Sequence, residues 1–212
     1  MPGCFLVVEG PDGAGKSTLV RRLAARCKEA GVPVVEVREP GGTPLAERAR
    51  RAVLDAGLEA SPLAELFLML AARADLVARV IRPALSEGGS LVLSDRFELS
   101  TEAYQIAGRG LPREAVLAAN QLATGGLKPD LTLVLDLPAE QGLARAAGSR
   151  RARDRIEGEG LAMHRRVAAA FAAARGPGIV HLDASRPADE VAAAAWKLAD
   201  ELVRKLIPGR RG

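Results

Sequence analysis

The chain has 212 residues, 48% hydrophobic but only 3% aromatic, with 30 basic and 26 acidic side chains and a formal charge of +4. That length suits one sizeable α/β domain and is short for two; the mild charge is a poor nucleic-acid footprint, and no apolar stretch approaches the ~18 residues that suggest a membrane span. Cys4 and Cys27 match no metal spacing and the first nine residues lack a secretory pattern, so a cytoplasmic, reducing setting is expected.

Phe5-Leu6-Val7-Val8 is a short apolar run ending at a glycine-rich turn, as a buried strand does. Lys16 to Ala30 has helical spacing (Leu19, Val20, Leu23, Ala24, Cys27) and stops at Gly31. Val34 to Val37 is a second strand, broken by Pro40-Gly41-Gly42, and a helix follows from about Leu45 to Ala56. Pro62 opens a longer helix to about Leu85, stopped at Glu87-Gly88-Gly89. Leu91-Val92-Leu93 is the third strand, and Asp95 to Gly110 is a polar stretch. Pro112 to Ala123 is helical, Leu131 to Leu137 is the fourth strand, and Pro138 starts another helix. After an arginine-rich interruption come a helix from Gly158 to Ala174, a fifth strand at Ile179 to Leu182 and a last helix from Pro187 to Leu206. His164 and His181 fall on a helix and a strand and are read as structural, without partners. Short apolar strands alternating with helices imply a three-layer, doubly wound α/β fold around a five-stranded parallel sheet, one domain over 1–212.

The strongest chemical signal is Gly10-Pro11-Asp12-Gly13-Ala14-Gly15-Lys16-Ser17, followed by Thr18. It matches the phosphate-cradling P-loop without departure and lies between a strand and a helix start, where that motif must lie. Glycines let backbone N–H groups face a polyphosphate, and the helix dipole favours an anion there. Lys16 is expected to reach the β- and γ-phosphates, and the Ser17 hydroxyl to ligate Mg²⁺ brought with ATP.

A phosphate acceptor has a second pKa near ~6 and needs no strong base. The difficulty is bringing two polyanions together, which calls for convergent arginines. Arg38 follows the second strand and Arg96 the third, at the sheet edge where ligands bind in such folds. Asp95 ends a hydrophobic strand, as a carboxylate near Mg²⁺ does, and is preferred to Asp136 because Arg96 and Ser100 follow it. Arg145, Arg150, Arg151, Arg153 and Arg155 crowd one segment, which is read as a lid at 145–156 that delivers an arginine; Arg210 and Arg211 are read as a solvated tail.

Placed in order, these pieces resemble the thymidylate kinase family over essentially the whole chain. The motifs are the P-loop with acidic Asp12, Arg38-Glu39-Pro40-Gly41-Gly42-Thr43, Ala71-Ala72-Arg73, Asp95-Arg96-Phe97 and Ser100-Thr101-Glu102-Ala103-Tyr104-Gln105. Gly108-Arg109-Gly110, Lys128-Pro129-Asp130-Leu131, Asp154-Arg155-Ile156-Glu157 and Leu182-Asp183-Ala184-Ser185 complete the set. The resemblance implies a nucleoside monophosphate kinase-like fold, a homodimer joined through helices including Pro62 to Leu85, and transfer of the γ-phosphoryl group of ATP to dTMP. It implies Asp12 on the acceptor 3′-hydroxyl, Arg38 and Arg96 on its phosphate, and Arg73 on thymine O4. Thr101 and Gln105 would lie near N3, Tyr104 beneath the sugar, and Ser185 at the adenine.

Two features qualify the match. Four residues before Arg73, where this family usually stacks an aromatic on thymine, stands Met69, which implies a looser base slot, with Phe67 pointing elsewhere. Gly13 occupies the position where some members carry a P-loop arginine, which assigns the transition-state arginine to Arg150, Arg151 or Arg153. Glu39–Pro40 is expected to be cis, because the acceptor phosphate must approach that backbone closely. A kinase for dUMP or a broader pyrimidine set, and a nucleotide-binding switch that needs only the cradle, remain open at this level.

Overall fold

The computed structural model describes residues 2–148 and 154–207. Its strands are β1 (Cys4–Glu9), β2 (Val34–Arg38), β3 (Leu91–Asp95), β4 (Leu131–Asp136) and β5 (Ile179–Asp183). All pairings are parallel, in the order β2-β3-β1-β4-β5. The helices are α1 (Lys16–Glu29), α2 (Pro44–Leu54), α3 (Pro62–Leu76), α4 (Arg82–Glu87), α5 (Glu98–Thr101), α6 (Arg113–Thr124), α7 (Ala139–Ala147), α8 (Leu161–Ala173) and α9 (Ala188–Leu206).

The strands are apolar on both faces because helices cover both. Leu6, Val8, Leu93 and Leu133 pack with α1 and α9 residues such as Leu19, Leu23, Ala195 and Val203. Phe5, Val7 and Val92 face the opposite way, against Leu76, Val77, Ile81 and Phe97. Each such buried side chain contributes roughly 1.5–3 kcal/mol relative to exposure. β1 is central, and the chain leaves it for one side and later returns to the other, which opens a crevice beyond its carboxyl end.

Two helical segments depart from simple expectation. The helix from Pro62 is α-helical to Leu76, passes through a π-helical turn at Val77–Ile81 and resumes as α4 to Glu87. Pro83 in α4 accounts for it: its ring cannot tolerate the carbonyl four residues back, and a widened turn relieves that clash. The polar stretch after β3 is not a loop: α5 continues directly into a π-helical segment, Glu102–Gly108. Elsewhere the expected helices are shifted at their ends by one to three residues, the usual fraying of helix boundaries.

Candidate active site

The parallel register places the chemistry at one edge. Val8, Asp95 and Arg38 are level across β1, β3 and β2, so the turn after β1 and the residues ending β2 and β3 share one crevice. Gly15 caps α1 at φ 92°, a left-handed conformation that suits glycine and lets the loop enter the helix. Lys16 is buried and its Nζ donates to the Pro11 carbonyl at 2.7 Å. Burial, with help from the nearby Arg96 charge, lowers its pKa to about 8. Ser17 Oγ donates to Asp95 Oδ2 at 2.5 Å.

Arg96 is the only non-glycine residue with positive φ among those described, at 76°. That backbone costs on the order of 1 kcal/mol or more for a side-chain-bearing residue, and the contacts it permits are dense. Its Nη2 donates to Asp12 Oδ1 and, at 3.1 Å, to the Tyr104 hydroxyl; its Nη1 donates to Ser100 Oγ and the Gly10 carbonyl. Tyr104 in turn donates to Asp12 Oδ2 at 2.8 Å. Burial alone would raise the Asp12 pKa, but Arg96 and Lys16 overcome it and hold the carboxyl below its ordinary value. The sequence candidates Asp12, Arg96, Ser100 and Tyr104 therefore form one connected cluster.

What holds the Arg96 turn was not foreseen. Glu9, the fully buried last residue of β1, accepts from the Phe97 and Ser100 backbone N–H groups and from Ser100 Oγ at 2.6 Å. A lone Glu at a strand end carries no spacing signal; only the fold shows that it clamps the residues that follow Arg96. Burial lifts its pKa from 4.5 to about 7, against the pull of Ser100 and Arg96. A carboxyl raised in the folded state stabilises fully below pH 4.5, and that contribution is lost as pH rises to about 7. Thermal melts should therefore show wild type losing up to ~3 kcal/mol relative to Glu9→Gln across that window, at about 1.4 kcal/mol per pKa unit. A stability difference that is flat with pH would contradict this role.

At the other end of the crevice Met69 lines the cavity, whereas Phe67 on the same helix is 57% exposed, as its helical offset requires. Arg73 is buried and fully engaged. It donates to Glu39 Oε2, Thr101 Oγ1, Asn120 Oδ1 and the Phe97 carbonyl. Thr101 and Gln105 are buried beside it, and none of these three side chains lines the cavity. Glu39 Oε1 and Gln105 Oε1 are buried with no hydrogen-bond partner among the described residues.

The cavity, of about 710 Å³, also takes Gly13, Thr18, Arg38 and Pro40 from the sequence candidates. Arg38 is held by Glu47, and the Glu39–Pro40 bond is cis. Arg50 and Arg145 line it as well. Arg50 Nη1 donates to the Pro40 carbonyl; α2 carries three arginines within four positions, and only packing singles this one out. Arg145 donates to the Ala184 and Ser185 carbonyls, while Ser185 binds Asp183 and stays outside the cavity wall. Arg155 is tied to Glu65 and the Val53 carbonyl. Arg150, Arg151 and Arg153 lie outside the described residues, as do Arg210 and Arg211. His181 corrects the expectation that it lacks partners: Nδ1 lies 2.9 Å from Asp136 and Nε2 2.8 Å from the Ala174 carbonyl. That pairing also engages Asp136, the competitor to Asp95. His164 Nε2 is buried with no hydrogen-bond partner among the described residues.

A buried lysine, an arginine–aspartate cluster and a glycine-rich helix entry in one cleft suit the handling of two phosphate groups. Comparison with known proteins agrees. The family model described as thymidylate kinase matches residues 8–195. A thymidylate kinase of Deinococcus radiodurans is 48% identical over 202 residues, covering 94% of this chain and 97% of its own length. One from Pseudomonas entomophila is 48% identical over 216 aligned residues, covering both chains fully. One from Pseudomonas putida strain GB-1 reaches 54% over 172 residues, 81% of each chain.

Proposed function

The chain belongs to the thymidylate kinase family, ATP-dependent phosphotransferases that convert dTMP to dTDP, and from that premise we propose how its residues divide the work. The chain acts as one kinase domain. The loop from Gly10 to Ser17 with Thr18 cradles the triphosphate, Lys16 meets the β- and γ-phosphates, and the turn around Ser185 borders the adenine. Arg38 and Arg96 hold the acceptor phosphate beside Pro40. An oxygen of that phosphate attacks the γ-phosphorus, and the β–γ bridging oxygen leaves with ADP. Asp12 accepts from the acceptor 3′-hydroxyl, and Tyr104 lies under the sugar, where a 2′-hydroxyl is disfavoured. Met69 on the cavity wall takes the face of the base, and Arg73, Thr101 and Gln105, buried behind that wall, are assigned as its polar partners.

The observation that carries this assignment is the Arg96–Asp12–Tyr104 cluster beside Lys16 in a single cavity. Mg²⁺ fits the same place. Ser17 and Asp95 offer two hard oxygen donors side by side, and the described residues contain no cluster of three His, Cys, Asp or Glu that would bind a metal by itself. Such a pair suits an ion carried largely by substrate phosphates and water, where it would neutralise triphosphate charge. The transition-state arginine is assigned to Arg150, Arg151 or Arg153 of the lid from sequence; Arg145 lines the cavity but is bonded to the Ala184 carbonyl, and Arg155 is bonded to Glu65. A homodimer through α3, where Leu63 and Phe67 are exposed, completes the reading; no described helix is long and apolar enough to cross a membrane, and the expected setting is the cytoplasm.

Calorimetric titration tests the acceptor site directly. Binding of dTMP should be about 10²-fold tighter than binding of thymidine, the difference being the phosphate held by two arginines at ~1.5–3 kcal/mol each for charge-assisted contacts, less their desolvation. Equal affinities would remove the phosphate-holding role from Arg38 and Arg96.

A further inference from the structure

Glu65 has no part in the mechanism above, yet it is a fully buried carboxylate with four hydrogen bonds. Its Oε1 accepts from Gln105 Nε2 at 2.9 Å and Arg109 Nε at 3.2 Å; its Oε2 accepts from Arg109 Nη2 at 2.8 Å and Arg155 Nη2 at 2.7 Å. Arg109 is itself fixed by Glu159, and Arg155 by the Val53 carbonyl. Burial would raise the Glu65 pKa, but these partners reverse that and keep it lowered and ionised. An ionised carboxylate can only accept. The amide of Gln105 must therefore turn its NH₂ to Glu65 and its Oε1 the other way, whichever way the terminal atoms are assigned. That oxygen is buried and has no hydrogen-bond partner among the described residues. An orphaned buried acceptor costs about 1–3 kcal/mol, which an incoming donor would offset.

We propose that Glu65 is a specificity-positioning residue: by holding the Gln105 amide in one orientation, it presents a fixed hydrogen-bond acceptor to the ring N3–H of the acceptor base. The inference rests on the placement of Gln105 at the base given above. Glu65 itself touches no substrate. A 4-oxo pyrimidine supplies the donor at N3; cytosine supplies a lone pair there, and two acceptors then face each other. Thymine and uracil are alike at N3, so the device selects against cytosine and is indifferent to the 5-methyl group.

Glu65→Gln breaks the device, because a glutamine can accept from or donate to Gln105 and so frees the amide to invert. Steady-state kcat/KM would be measured for dTMP, dUMP and dCMP with wild type, Glu65→Gln and Glu65→Asp, with thermal melts of each. The expected result is a tenfold or greater fall in the dTMP-to-dCMP ratio for Glu65→Gln, carried mainly by KM for dTMP, with the dTMP-to-dUMP ratio unchanged. Glu65→Asp keeps the charge and the acceptor-only chemistry and should retain most of the selectivity, which also keeps the proposal testable if the glutamine variant does not fold. Lower stability or lower kcat with both ratios intact would overturn it and leave Glu65 a structural carboxylate. Wild type that does not turn over dTMP would instead sink the functional reading itself.

Discussion

Replacing Arg96 with Ala should lower kcat/KM for dTMP by about 10²–10³, on the order of 3–4 kcal/mol, as removal of a pre-organised donor from a charge-developing site does. The side chain is the hub of the crevice, contacting Asp12, Ser100, Tyr104 and the Gly10 carbonyl. Its removal has two costs. The acceptor phosphate loses a fixed cation, and Asp12 loses the first of the charges that hold its pKa down against burial. Arg96→Gly separates backbone from side chain, since glycine adopts φ 76° without penalty. Equal losses in the Ala and Gly variants would assign the effect to the guanidinium. Arg96→Lys should rescue little, because one ammonium cannot reproduce the forked contacts to several partners. Turnover within a few fold of wild type in Arg96→Ala would remove this residue from the centre of the site.

The second large effect is expected at Gly142, on α7. A Cβ there would lie 2.3 Å from the Asp12 carbonyl oxygen, and a Cβ on Gly13 would lie 2.0 Å from the Gly142 carbonyl oxygen. The phosphate loop and α7 thus meet backbone to backbone, and neither side has room for a methyl group. Gly142→Ala should displace the loop around Asp12 and Gly13 and lower kcat/KM for ATP by about 10², since small misplacements of a binding constellation cost that much. A stability loss of roughly 1–3 kcal/mol should accompany it, the usual range for overpacking. Gly160→Ala is the control: no described residue lies within 4 Å of its Cβ, and its φ of −68° suits alanine. Near-normal activity of Gly142→Ala would show that the two backbones separate without consequence. The same contact explains why this chain does not carry an arginine at position 13: α7 occupies the space that its side chain would need.

These two residues illustrate what could and could not be read from the chain. The layered parallel sheet followed from short apolar runs separated by turn residues, and the order of β1, β2 and β3 with the loop after β1 put Lys16, Arg38 and Asp95 on one edge. Those relations depend on local pattern and on a handedness rule, both written in sequence. Gly142 carried no such mark, because its requirement is set by a loop 130 residues away. Glu9 and Glu65 were equally silent: a single carboxylate inside an apolar context has no spacing to betray it, and its meaning comes from donors brought by other elements. The segment after β3 shows the opposite failure. It is a helix whose buried face is Ser100, Thr101, Tyr104, Gln105 and Gly108, so helical spacing is present but in polar letters. Hydrophobic periodicity misses such a face because its residues are reserved for hydrogen bonding to Arg73, Asp12 and Glu65.

Met69 lines the cavity wall. A flexible thioether gives a softer surface than an aromatic ring, so with the base placed as proposed, its recognition would rest more on buried hydrogen-bonding groups than on stacking. ADP release from ATP and Mg²⁺, followed with dTMP, dUMP, dCMP, dGMP and no acceptor in parallel, tests the whole account at once. Turnover strongly dependent on dTMP, with dCMP and dGMP at or near the level seen without acceptor, is the predicted result. ADP release that is the same with every acceptor and with none would contradict it, leaving a nucleotide-binding loop without a kinase built around it.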